Sequence, residues 1–249
     1  MANKRYGLKE VANVIFFNIE TGKPEIFFDT LKVSTIENES ESAEARGGQG
    51  NGRLISWDYG RTATLTMQDA LLSDVSLAML SGNAVEDVSQ GVKLVGREEL
   101  TVGEDKTIKL KETPISDTLS VYKLVRGVLD PTAELTPVLQ PETESIMLEG
   151  EINAGDKVMV FYEYNHTQEG ASKIVFSANA FPATYRVVGD TIGKDQFGTL
   201  RKMQFIIPQA KLQSTFSLTM DVENVSVFDF NLDVLVDPET DKLYEIITL

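Results

Sequence analysis

The sequence predicts a mostly-β protein, and three observations carry that reading. Apolar and polar residues alternate with period two over most of the chain, apolar residues recurring at three and four are scarce, and Gly, Pro, Asn and Asp punctuate the alternating runs. Successive side chains of a strand point to opposite faces, so such alternation marks half-buried sheet.

Taken in order, the first apolar run is Val14–Phe17, followed at once by polar Asn18. It is too short for a secretory apolar segment, and no run of apolar residues reaches membrane-spanning length. Ile36–Arg53, IENESESAEARGGQGNGR, is poor in apolar residues, acidic in its first half and glycine-rich from Gly47 to Gly52. It reads as a long mobile loop whose ordering entropy must be repaid by a contact outside the domain, with another subunit as the partner. Thr62–Gln68 sets Ala63, Leu65 and Met67 against Thr62, Thr64, Thr66 and Gln68, a half-buried strand. Ser73-Asp74 can cap a short helix, Asp74–Leu80, which Gly82 closes.

From Gly91 the chain has its own series of strands and turns between polar junctions, so three segments follow: 1–90 and 168–249 as two parts of one core, and 91–167 as an inserted immunoglobulin-like β domain. Val158–Tyr164, Leu200–Ile207, Phe216–Val222 and Val225–Val236 are further predicted strands. In the last, Phe228, Phe230, Leu232 and Val234 oppose Asp229, Asn231 and Asp233, a core face and an acidic face. Asp237–Asp241 forms a turn before a final strand through Tyr244 and Ile247.

Charge and composition exclude several functions. Thirty-eight acidic residues against 23 basic ones leave a net charge of −15, spread along the whole chain, so its field repels a phosphate backbone. The absence of Cys removes disulfides, thiol nucleophiles and Cys-based zinc sites, and a single histidine, His166, removes most imidazole chemistry. His166 has no recognisable nucleophile elbow to serve and reads as a solvated histidine at a domain junction. Gly48-x-Gly50-x-Gly52 has the wrong spacing for a dinucleotide loop, and strand-like residues follow it. Asp229-x-Asn231-x-Asp233 lacks the glycine and distal glutamate of a calcium loop. No catalytic, cofactor-binding or metal-ligating residue is therefore assigned.

Seven residues are assigned instead to a subunit interface. Arg46, Arg53 and Arg61 flank the glycine-rich stretch Gly47, Gly48, Gly50 and Gly52 and are placed to meet a neighbour's carboxylates, fixing register more than strength. Trp57, just beyond them, is assigned to the core ahead of an interface role.

Gly47–Asp74, GGQGNGRLISWDYGRTATLTMQDALLSD, and the following VSLAMLSG resemble the tail tube (major tail) proteins of tailed bacteriophages in the order of their features. A polar, glycine-rich loop precedes an alternating strand, then Asp69-Ala70-Leu71 and a short helix. The resemblance implies a β-sandwich or half-barrel subunit that joins others in a homohexameric ring, with rings stacked into the tail tube of a virion assembled in the host cytoplasm. It also implies contact with other tail proteins, and a lumen whose acidity lets genomic DNA pass to ejection without specific binding. The insert departs from a minimal tube subunit and is expected on the outside. A carbohydrate- or surface-binding β module is the competing reading, and a glycoside hydrolase a more distant one.

Overall fold

The structure is a computed structural model describing residues 5–140, 145–222 and 227–249. Its strands run in chain order as β1 (Tyr6–Leu8), β2 (Asn13–Asn18), β3 (Pro24–Phe28), β4 (Leu31–Gly47) and β5 (Gly52–Asp69), followed by helix α1 (Asp74–Ser81). Next come β6 (Glu86–Asp87), β7 (Val92–Thr101), β8 (Thr107–Ile108), β9 (Ser120–Val125), β10 (Val128–Gln140), β11 (Ser145–Glu149), β12 (Lys157–His166) and β13 (Ser172–Lys173). The chain ends with β14 (Thr184–Asp195), β15 (Leu200–Leu212), β16 (Phe228–Leu235) and β17 (Glu245–Thr248). The protein is mostly β, as its alternation predicts.

The chain folds as two compact units, one comprising residues up to Val85 with Ile174–Leu249 and the other Glu86–Lys173. The first is a nine-stranded sheet with a half-barrel curl, in the order β3-β2-β14-β15-β16-β5-β4, with β1 added to β14 and β17 to β15. Alternation builds its core: Val14 and Phe16 of β2, Leu65 and Met67 of β5, Val187 of β14, Ile207 of β15, and Phe230 and Leu232 of β16 are all fully or almost fully buried. Phe28 bridges two strands, with its ring centroid 5.2 Å from Phe16 and 5.1 Å from Phe230. Such offset and edge-on ring pairs add to the burial of apolar area.

One cross-strand pair, Gly189 and Phe205, depends on a missing side chain. A Cβ on Gly189 would lie 2.1 Å from the Phe205 ring, which therefore occupies the space over the glycine.

Helix α1 starts as its sequence predicts. The Ser73 hydroxyl accepts from the Ser76 N–H at 3.1 Å, and the Ser76 hydroxyl accepts from the Ser73 N–H at 3.0 Å, a reciprocal capping box. Its far end turns at Gly82, where a Cβ would meet the Phe181 backbone.

The second unit has a six-stranded sheet in the order β7-β12-β9-β10-β11-β8. β10 pairs with β9 through its first half and with β11 through its second, with a register shift between Leu129 and Glu134. Val121, Ile146, Leu148, Ile152, Val158 and Val160 form its core. Here too an aromatic ring covers a glycine: Tyr162 pairs with Gly96, donates to the Glu98 carboxylate at 2.5 Å, and has its phenol pushed up to about 12, first by burial and then by that acidic partner. β6 pairs with β13, so the chain enters and leaves this unit on neighbouring strands.

One expected strand differs. Phe216–Val222 joins no ladder; Phe216 packs half-buried against the core, while Met220 and Val222 are exposed. Alternation signals a strand only where a neighbouring backbone is free to pair. Of Val225–Val236, Phe228–Leu235 is strand β16, and residues 225 and 226 lie outside the described residues.

Candidate functional site: the β4–β5 ribbon

The expected mobile loop at Ile36–Arg53 is instead most of strand β4, the turn after it and the start of β5. These two strands pair from Leu31 and Asp69 out to Gly47 and Gly52. Backbone pairing with β5 satisfies the peptide groups on the inner edge of this polar segment, so it is ordered without apolar residues of its own. The glycines do their conformational work at the tip, where Gly48 and Gly50 adopt φ values of 79° and 85° and the Asn51 N–H donates to the Gly48 carbonyl at 3.2 Å.

The hairpin outgrows its sheet. β16 covers β5 only along Ala63–Asp69, and β4 ends the sheet order, so beyond Ala63 the two strands pair only with each other among the described residues. Gly60, at φ 62°, sits in a bulge where Glu39 pairs with Thr62 but Glu41 pairs with Tyr59. Bulges of this kind increase twist and re-aim a strand. Beyond it, Ile55, Trp57 and Tyr59 share one face of the ribbon, opposite Ala45, Ala43 and Glu41. They are 50%, 57% and 53% exposed, and Leu54 beside them is 67% exposed. The small Ala43 leaves the indole uncovered. Trp57 is thus a surface residue, and its assignment to the core is corrected.

Of the seven residues assigned from sequence, Arg46, Gly47, Gly48, Gly50, Gly52 and Arg53 gather at the ribbon tip. Arg46 pairs in register with Arg53, and both are held by Glu44 of the same chain: Arg46 Nη2 lies 2.6 Å from Glu44 Oε2, and Arg53 contacts Oε1. This internal carboxylate keeps two like charges side by side. Arg61 is not part of that group; it stands at the sheet side of the bulge, beside a groove with Asn38 and Tyr244. Ile55, Tyr59 and Leu54 were missed, although the spacing of 55, 57 and 59 marks a shared face.

Other candidates assemble no chemistry. His166 ends strand β12, with Nε2 3.2 Å from the Gln168 side-chain oxygen. Asp233 accepts from the Gln213 amide at 2.8 Å. Among the described residues no group of three or more His, Asp or Glu could hold a metal, and no helix is long and apolar enough to cross a membrane.

An uncovered aromatic ribbon on a sheet with open edges defines a class of protein that works by association. Residues 6–248 match the YomU/Tube protein family. The chain is also similar to a tail tube protein of Bacillus phage SPR, 22% identical over 243 residues, which cover 96% of this chain and 88% of that protein. The chain belongs to the YomU/Tube family of phage tail tube proteins, and its role is structural.

Proposed function

We propose that this chain is the repeating subunit of the tube, closing into homohexameric rings that stack around a lumen through which genomic DNA passes during ejection. The observation that carries this reading is the ribbon: an isolated two-stranded hairpin is marginal in water, and this one exposes Leu54, Ile55, Trp57 and Tyr59 together. Contact with another subunit would stabilise it and cover that face. The outer edges at β3 and β4 support ring closure, because pairing them between copies removes the exposed strand edges. A net charge of −15 supports passage of DNA without adhesion.

In this reading Arg46, Gly47, Gly48, Gly50, Gly52 and Arg53 lie at the contact made by the ribbon tip, and Arg61 borders a separate contact nearer the sheet. The unit Glu86–Lys173 hangs outward as an accessory domain, supported by the neighbouring positions of β6 and β13. The protein acts without catalysis, assembles in the host cytoplasm and meets other tail proteins at the tube ends. Negative-stain imaging of protein taken from virions tests the proposal: hollow tubes with six-fold end views are expected, and a chain that is monomeric there overturns it.

A further inference from the structure

The first unit contains an apolar groove of about 400 Å³, and the ribbon carries an apolar face that is left exposed among the described residues. The groove lies where the segment before β2, the start of β4, and strands β15 and β17 approach one another. Val11, Val33, Ile36, Met203, Phe205 and Ile246 supply its apolar wall. Exposed Lys9 and Lys32 stand on its rim, with Glu10 as the one acidic lining side chain.

The ribbon is complementary in sign as well as in polarity. Glu41 lies directly across from Tyr59, Asp58 adjoins Trp57, and Glu39 follows toward the sheet. Its own groove is out of reach: Leu65, which lines the groove, is eight residues from Trp57 along β5, roughly 26 Å of extended strand. A rigid ribbon cannot fold back over that distance.

We infer that the groove is the acceptor for the ribbon of a second copy of this chain, with Trp57 and Tyr59 entering the apolar wall and Glu39 and Glu41 facing Lys9 and Lys32. The inference rests on the proposed self-assembly and names the surface that receives the contact. Donor and acceptor are different surfaces of one molecule, so the contact is head-to-tail and repeats from copy to copy, as a ring or a stack requires. The aromatic side chains provide the buried anchor, and the charges fix register.

The chain has no Cys, so an introduced pair is the only pair. Glu41→Cys/Lys32→Cys is assembled, oxidised and run on a denaturing, non-reducing gel, with Tyr59→Cys/Val33→Cys as a second pair, and both keep the indole. A disulfide needs Cα atoms within about 7 Å, which the register forbids inside one chain: Glu41 pairs with Tyr59, and Val33, beside Lys32, pairs with Gln68, nine residues further along β5. A ladder of covalent multimers is expected from each double variant, and monomer from each single variant. Tubes visible by electron microscopy with no ladder from either pair overturn the groove assignment and leave the tube reading standing. A wild-type chain that never associates overturns both.

Discussion

Strand β5 is one continuous strand in two environments. Along Ala63–Asp69 every second residue is buried: Ala63, Leu65, Met67 and Asp69 are each less than 5% exposed, with β16 on one side and β4 on the other. Along Gly52–Thr62 every residue is exposed, although this stretch holds the only Trp of the chain. The composition of the two stretches does not explain the difference; the number of neighbours does. Where a second strand and a core face are present, alternation turns into burial. Where only the hairpin partner is present, the same alternation leaves one apolar face in water. The base of β5 is a stability element; in the function proposed above, the ribbon is the assembly element.

The largest expected effect comes from damaging the base. Leu65→Ala removes a fully buried side chain between β4 and β16 and should destabilise the first unit by about 2–5 kcal/mol, read as a lower denaturant midpoint. Next is Gly189→Ala, whose methyl group would collide with the Phe205 ring and should cost about 1–3 kcal/mol by overpacking. If Gly189→Ala melts like the wild type, the ring is not held over the glycine and that account of the sheet is wrong.

Alkaline pH sharpens the same comparison. Tyr185, in the core against Phe16, has its phenol pushed up to about 12, first by burial and then by the nearby Glu25 charge. Its folded value is above the ordinary value near 10, so the protonated form contributes stability that is fully present below about pH 10 and is lost as pH rises toward 12. The melting temperature of the first unit should hold level up to about pH 10 and fall beyond it. Tyr185→Phe should flatten that fall, and an unchanged slope in the variant would show that another group sets it.

The β class, the strand at Thr62–Gln68 and helix α1 were legible because each is determined locally: alternation, a capping serine and a closing glycine suffice. The arms of the ribbon were not. Glu37, Glu39 and Glu41 alternate along β4, but acidic residues in a segment without apolar partners look like a loop until β5 is placed beside them. Asn51-Gly52 among the glycines was the available hairpin signal. Trp57 was misplaced for a related reason, since a large aromatic side chain in a strand is usually buried and only the sheet order shows that nothing stands over this one. Arg46 and Arg53 come together because the turn is tight, whereas Arg61 is separated from them by the length of the ribbon.

The smallest expected effect on stability carries the largest consequence for association. Trp57→Ala removes a side chain that is 57% exposed and faces Ala43 across the ribbon, so little packing is lost within the chain. Stability should change by no more than about 0.5 kcal/mol, the ordinary range for a surface position, or about 1–2 °C in melting temperature for a chain of this size. Association should fail nonetheless, because truncating a central aromatic anchor commonly costs 2 kcal/mol or more of binding free energy, about a thirtyfold loss at each contact. In a tube that contact repeats in every subunit. Scanning calorimetry of unassembled protein and electron microscopy of the same preparation read the two effects separately. A fall of several degrees, with tubes intact, would place Trp57 in the fold of its own chain and remove the distinction between the two halves of β5.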